Sequence, residues 1–505
     1  MSGGVGVAAP ESITELATWQ RTLRLSLADA ALSTTLQTLT TGVFLTGFGL
    51  VLGASQVQIG ILAALPTLGN VAQIVGSYCI ERSGRRKGLC LWATGVARAM
   101  WLAILTLPLV LRPAREGGGL TISPAALVSW LVLLLAASSG LAAVGGVAWL
   151  SWMKDLVPNG RRADFLSRRN QIGTGLALSL SIVAGLFLDW WESRWPDSVA
   201  GFAIVFGFAA ACGLCAIPFL RATPDAPMPP RRHEPFAKLI TLPMRDDNFR
   251  RLVLFYAFWN LGVNIAGPFF NVYMLREMSL PFWFITLVNT LAGVASLVTN
   301  RFWVRLSTQF GNKPVVFLAT LGNAFFPLTW VFIPREWAWL LLITHLSGVF
   351  NSVLVLGPNN IMFKLAPERN ASAYLAVFNA VVGPATALAP VLGGVLVGSL
   401  AGVHLSIGPV ALSGMKFVFV LSFVLRIASL ILLRRVHEPE SKGVRRVVRV
   451  LRHVTMPNLL EDLREALVLR RESRHRRRAA APHFTAETVP AADARADKRI
   501  ETRAA

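Results

Sequence analysis

The stretch "SYCIERSGRRKGLCLW" (residues 77–92) sets five charges, Glu81, Arg82, Arg85, Arg86 and Lys87, within seven positions. Apolar runs flank it: "GILAALPTLGNVAQIVG" (60–76) before and "LCLWATGVARAMWLAILTLPLVL" (89–111) after. A hydrocarbon core of about 30 Å takes ~20 mostly apolar residues per helix. Lipid offers no partner to an open backbone group, so such runs cross as helices. The charged knot is therefore read as a tight turn between two membrane-crossing helices.

The rest of the chain fits that solvent. Only 15% of its 505 residues are charged, against roughly 25% in a soluble globular domain, and the mean hydropathy is +0.54. Twelve segments have the length and composition of a span: Ala28–Leu52, Ile59–Ile80, Leu89–Leu111, Ala125–Trp149, Ile172–Trp191, Val199–Leu220, Leu252–Leu275, Phe282–Val304, Val315–Ile333, Trp337–Phe363, Tyr374–Leu400 and Leu412–Leu433. The first eighteen residues lack the basic region of a secretory signal. The formal charge of +22 lies in the gaps between apolar runs and in the tail, the pattern of a membrane surface rather than of a nucleic-acid partner. Cys212 and Cys215 lie within an apolar run and are read as core residues, not as a redox pair.

Basic residues set orientation. With the N-terminus cytoplasmic, the outer loops hold only Arg112, Arg115, Arg194, Arg276 and Arg335. The inner gaps hold many more, among them Arg161, Arg162, Arg168, Arg169, Arg231, Arg232, Lys238, Arg245, Arg250 and Arg251. Both termini are expected in the cytoplasm of a bacterial inner (plasma) membrane.

The chain also repeats itself. "DLVPNGRRADFLSRRNQ" after the fourth span pairs with "KLAPERNASAYLAVFNA" after the tenth, setting Phe165 against Tyr374 and Asn170 against Asn379 at an offset of 209. "RSGRRK" pairs with "QFGNKP" at an offset of 227, Gly84 against Gly311. The longer outer loop "RPAREGGGLTISP" accounts for the difference of 18. A proline-rich, charged linker divides the spans six and six. The expected organisation is a cytoplasmic segment (1–24), a first six-helix bundle (25–220), a linker (221–249), a second bundle (250–435) and a basic tail (436–505).

With its twelve spans, its duplication and "SYCIERSGRRK", the chain resembles the major facilitator superfamily of secondary transporters. The family's loop pattern between helices two and three is G-x-x-x-D-R-x-G-R-R; here Ser77 replaces the leading glycine and Glu81 the aspartate, while the second copy has Thr308 and Gln309 instead of the acid and arginine. The resemblance implies an all-α membrane protein of two pseudo-symmetric six-helix bundles. It implies a central cavity formed by helices one, four, seven and ten. It also implies that Glu81, Arg82, Gly84, Arg85 and Arg86 form a gating loop, with Glu81 docking at the start of the eleventh helix, Ala371–Ala373. A helix N-terminus carries about half a positive charge and favours such a carboxylate.

Polar stripes suggest what lines the pathway, because amides and hydroxyls in hydrocarbon face protein or water. Gln37, Thr38 and Thr41 share a face of the first span with Thr34; Asn260 and Asn264 share one of the seventh with Tyr256 and Asn271; His345 lies on the tenth with Ser352 and Asn359. Gln37, Thr38, Thr41, Asn260, Asn264 and His345 are the candidate binding residues, with hydrogen bonding between helices as the plainer role. Asn271 and Asn359, near span ends, are assigned that plainer role. His345 is the proton-coupling candidate, since histidine titrates near neutrality. Asp29, Arg98 and Arg426 are intramembrane charges. Asp29 reads as an N-terminal snorkelling charge or as the partner of Arg98, although their depths match poorly, and Arg426 as reaching towards the cytoplasmic surface. Lys416 reads as snorkelling outward.

After the last span, "SKGVRRVVRVLRHV" alternates valines with arginines at helical spacing, a basic amphipathic helix suited to anionic inner-leaflet headgroups. "NLLEDLREALVLRR", with Asn458 as cap, reads as a second short helix before a disordered end. No catalytic constellation, phosphate loop or metal cluster is visible, so neither enzyme activity nor a cofactor is expected. The expectation is a monomeric secondary transporter of a small polar or amphipathic organic solute, coupled to a proton or ion gradient. The alternatives are a lipid or lysolipid flippase on the same scaffold and a non-transporting membrane receptor or scaffold.

Overall fold

A computed structural model describes residues 13–110, 123–196, 198–225, 243–367, 371–407, 410–412, 414–439 and 441–451. Arg112 and Arg115, the linker cations Arg231, Arg232 and Lys238, and the tail beyond Leu451 with its expected second helix lie outside these residues. So do the side chains of Ala371–Ala373, where Glu81 was expected to dock.

Among the described residues, eleven helices are long and apolar enough to cross a membrane: Gln56–Ser83, Arg86–Thr106, Pro124–Leu156, Asp164–Arg194, Ala200–Ala222, Asp247–Glu277, Phe282–Phe310, Asn312–Phe332, Leu340–Leu365, Tyr374–Ser399 and Gly414–Arg434. They are the expected second to twelfth spans. The expected first span, Ala28–Leu52, is divided. One helix runs Ile13–Leu39 and a second Gly42–Val51. Thr41 between them is extended (φ −130°, ψ −179°) and Gly42 turns the chain at φ +60°. A left-handed residue suits glycine alone without strain, and the hydroxyls of Thr40 and Thr41 bond back to Leu36 O and Gln37 O. Irregular backbone at this depth is tolerated where it lines a cavity. A short antiparallel hairpin, Leu405–Ile407 with Val410–Leu412, joins the eleventh and twelfth spans.

Successive spans alternate in direction, so the charged turn at 81–87 lies at the same end as the start of the first span and the end of the twelfth. Within the first half, span one packs on five and six, three on four and six, and two on four; within the second, seven packs on eleven and twelve, nine on ten and twelve, and eight on ten. The pairings repeat with a shift of six, the signature of two like bundles. The sequence repeat is realised in detail. Gly84 and Gly311 both close their turns at positive φ, +62° and +88°. Phe165 packs on Trp19 at 6.0 Å, and Tyr374 on Phe249 at 4.5 Å. Each aromatic thus pins a span start to the chain entering the first span of its half.

Contact between the halves concentrates at the end away from the chain termini, where span two meets eleven and span five meets eight. A Cβ on Gly60 would stand 2.3 Å from Pro390 O, and one on Gly394 2.5 Å from Gln56 O. Only glycine permits that approach of bare backbones. Asp189, at the end of span five, accepts the N–H groups of Phe282 and Trp283, both at 2.7 Å, and so caps the N-terminus of span eight.

Residues 1–444 form one compact unit and 445–505 a second. Helix Val444–Leu451 at their boundary follows the expected amphipathic pattern, with Arg445, Arg446 and Arg449 exposed and Val447 buried.

Candidate functional site

Two cavities adjoin the broken first span. The larger, about 730 Å³, lies between spans one and five of the first half and seven and eight of the second. Gln37, Thr38 and Thr41 line one wall, Asn170 and Thr174 another, and Asn271, Thr286 and Asn289 the third. Thr41 gives the half-helix Gly42–Val51 no side-chain cap, and Gly42, Val43 and Phe44 also face this space. The smaller, about 510 Å³, lies inside the first half and reaches Pro66, Asn70 and Gln73 of span two and Ser138 and Ser139 of span four. Ser33, Gln37, Thr41 and Arg169 line both.

Where the cavities meet sits a charge network. Asp29 is only 2% exposed and Arg98 7%. Asp29 Oδ2 accepts from Arg169 at 2.6 Å, and Oδ1 from the Ser33 hydroxyl at 2.9 Å and from Arg98 at 3.5 Å. Arg98 also donates to Ser33 Oγ at 2.7 Å and to Gly213 O at 2.8 Å. Arg169 donates to Ser26 O and Oγ, and its guanidinium lies 4.4 Å from the ring centre of Trp149. The pairing of Asp29 with Arg98, which the mismatch of depth argued against, is thus present. The helix containing Asp29 begins as far back as Ile13, so Asp29 lies deeper than the start of an apolar run suggests. An unpaired charge near the midplane costs at least ~2.5 kcal/mol, which explains why these three side chains seek one another.

The other candidates fall differently. Gln37, Thr38 and Thr41 line the large cavity as expected. Asn271, assigned to helix–helix bonding, accepts from Asn289 at 3.4 Å and stands on the cavity wall as well. Asn260 and Asn264 line neither of these cavities. Their amides donate to the carbonyls one turn back, Tyr256 O and Asn260 O, both at 2.8 Å. The face they share with Tyr256 turns towards spans ten and eleven, where Tyr256 meets Leu354 O and Phe378. His345 is likewise off both cavities, buried between Phe326 and Trp330 with Nδ1 2.8 Å from Leu341 O. Arg426 does not reach the surface. It is 2% exposed and donates to Asn323 O and Oδ1, with Trp259 at 5.6 Å. Lys416, expected to reach outward, is half-buried. Of the implied lining set, spans one and seven reach the large cavity, and five and eight replace four and ten. Arg169, Asn170, Thr286 and Asn289 were missed.

At the charged end, Glu81, Arg82, Gly84 and Arg85 are exposed, while Arg86 is buried and bridges to Asp155, donating also to Ser151 O at 3.0 Å. The second half answers with Glu438, which follows the last span. It is buried and accepts from Asn312 N and Nδ2, Lys313 N and Lys364 Nζ, at 2.6–3.1 Å. Burial pushes its carboxyl up, but these four donors outweigh it and hold the group below the usual carboxylate range.

Residues 252–476 match the Major Facilitator Superfamily. No curated protein matches the sequence. Among solved structures, a mutant form of the nucleoside transporter NupG is 13% identical, with 82% of this chain and 99% of that one covered at a TM-score of 0.62. A bacterial homologue of the iron transporter ferroportin in its inward-facing state is 16% identical (84% and 99% covered, TM-score 0.60). The xylose transporter XylE from E. coli, in an inward open conformation, is 17% identical (86% and 99%, 0.54). These likenesses establish a shared fold over all the spans. The C-terminal part of the chain thus matches that superfamily, and the chain as a whole is an integral membrane protein with the fold of these solved transporters.

Proposed function

We propose that the protein is a secondary active transporter moving a small polar or amphipathic organic solute by alternating access, driven by a proton or ion gradient. Both termini and the 81–87 turn face the cytoplasm of a bacterial inner membrane. The observation that carries this reading is the large cavity. Its ~730 Å³ falls within the usual range for small-molecule sites, its walls set amides, hydroxyls and the Arg169 guanidinium among apolar side chains, and both halves build it. The halves meet at the end away from the termini, through Gly60, Gly394 and Asp189. With the termini cytoplasmic, that is the periplasmic end, and the conformation is inward-facing, like that of the two inward-facing relatives.

The walls offer no nucleophile beside a base, and among the described residues no group of three or more His, Cys, Asp or Glu could hold a metal ion. The protein acts as a monomer on a small-molecule solute, with its basic tail on anionic lipid and no nucleic-acid partner.

The test is a thermal-stabilisation screen in detergent, followed by flux into proteoliposomes with and without an imposed proton gradient. Saturable, gradient-dependent uptake is expected. Lipid movement between leaflets without saturable solute uptake would identify a flippase, and neither would leave a receptor or scaffold. Gly394→Leu drives a side chain into the Gln56 carbonyl. It is expected to raise labelling of a cysteine placed at Thr286 from the periplasmic side.

A further inference from the structure

We infer, building on the transporter reading, that the solute carries one carboxylate or an equivalent single negative charge, and that Arg169 receives it. The argument is charge accounting. Asp29, Arg98 and Arg169 form one contiguous cluster, and the charged or ionisable groups acting on Arg98 are Asp29, Cys90 and Arg169. Two guanidiniums face one carboxylate, so the cluster holds a surplus positive charge, with Asp29 and Arg98 buried and Arg169 at the cavity wall. A surplus of that kind is tolerated where a mobile counter-charge completes it.

The geometry says which arginine is open to that counter-charge. Arg98 is enclosed by Ser33, Gly213 and Asp29 inside the first half. Arg169 stands on the wall of the larger cavity, and among the described residues lining that cavity it is the one ionisable side chain. Its described acceptors, Ser26 O, Ser26 Oγ and Asp29 Oδ2, occupy three of the five N–H groups of a guanidinium. Trp149 at 4.4 Å holds the plane in place. A planar fork of this kind pairs well with a carboxylate. When an organic monoanion takes Arg169, Asp29 keeps Arg98 and Ser33 as partners, and the cluster becomes two guanidiniums facing two carboxylates. A neutral solute leaves the surplus in place, and a cation adds to it. The amides of Gln37, Asn170, Asn271 and Asn289 then hold an uncharged body larger than a bare inorganic ion.

The test uses the full-length protein and three matched pairs of probes: benzoate and benzamide, nicotinate and nicotinamide, lactate and lactamide. Each is assayed by thermal stabilisation in detergent and by uptake into proteoliposomes. At least one carboxylate is expected to bind about tenfold or more tightly than its amide. Arg169→Gln should abolish that preference and Arg169→Lys keep part of it. Asp29→Asn raises the surplus charge, so it should tighten binding of the same carboxylate severalfold while slowing its release. A purely structural role for the pair would weaken binding in both variants alike; opposite signs separate the two, and a variant that loses its monodisperse elution profile is replaced by Arg169→Lys. Equal binding of amides and carboxylates overturns the inference, as does a preference that survives Arg169→Gln or stabilisation by chloride or phosphate alone. If amides are taken up and carboxylates are not, transport stands and the anion site falls. If no solute of any charge is taken up, the transporter reading falls with it.

Discussion

The two halves answer a buried cation in opposite ways. In the first half Arg98 is met by a carboxylate, Asp29, which also binds Arg169 at the cavity wall. In the second, Arg426 is met by the amide of Asn323 and the ring of Trp259. Elsewhere the second half packs rings together: Phe270 lies within about 5 Å of Phe326, Trp330 and Phe419, and Phe326 stands beside His345. The ends of the bundles differ as well. The turn in the first half is held by Arg86 and Asp155 within the bundle, while in the second Lys313 and Lys364 occupy the corresponding places and Glu438 supplies the carboxylate from beyond the last span. The two halves share a packing frame and differ in where their charges sit.

This contrast can be broken by substitution. Asp29→Ala should have the largest effect, leaving the buried Arg98 and the half-buried Arg169 without their carboxylate, a loss of about 3–5 kcal/mol seen as a lowered Tm in detergent. Glu438→Gln should come next, at about 1.5–3 kcal/mol for hydrogen bonds to a charged group. Its pH dependence has a definite sign. The folded-state carboxyl titrates below its unfolded value of about 4.3, so the stabilisation is fully present above that value and fades as pH falls through the folded one. The Tm gap between wild type and Glu438→Gln should therefore close in acid, and a gap constant down to pH 3 would contradict the assignment. Phe165→Leu and Tyr374→Leu should each cost about 1 kcal/mol from loss of an aromatic pair, and by similar amounts if the two pins are equivalent; unequal unfolding shifts would show that the repeat is not mechanical. Arg426→Met should be the mildest, near neutral, because it replaces a desolvated cation that no carboxylate meets with an apolar side chain of similar length.

Much of the frame was legible because it rests on local rules. Apolar runs of span length, Gly84 and Gly311 at matched turns, and Phe165 and Tyr374 at matched entries are all visible as pattern, and the folded chain uses them as pattern implies. The polar stripe of Gln37, Thr38 and Thr41 was also legible, though the break in the helix at Thr41–Gly42 was not, since neither residue forbids helix strongly enough to mark it. Asn260 and Asn264 each give one amide N–H to the carbonyl a turn back, a local bond that the spacing of a polar stripe does not reveal. Arg169 was hidden for the opposite reason. In "RRADFLSRR" every arginine reads as a topology signal, and only the packing of span five against span one turns Arg169 inward while Arg168 stays exposed.

The glycine contacts between spans two and eleven carry a last implication. Where Gly60 faces Pro390 and Gly394 faces Gln56, the touching surfaces are main chain and largely without side chains to interlock. Such surfaces can part and re-form without repacking, like two smooth plates. At that same end the two hydrogen bonds that Asp189 receives stand beside the ring contact of Phe202 with Phe282, so a carboxylate and one ring pair are what tie these smooth faces together.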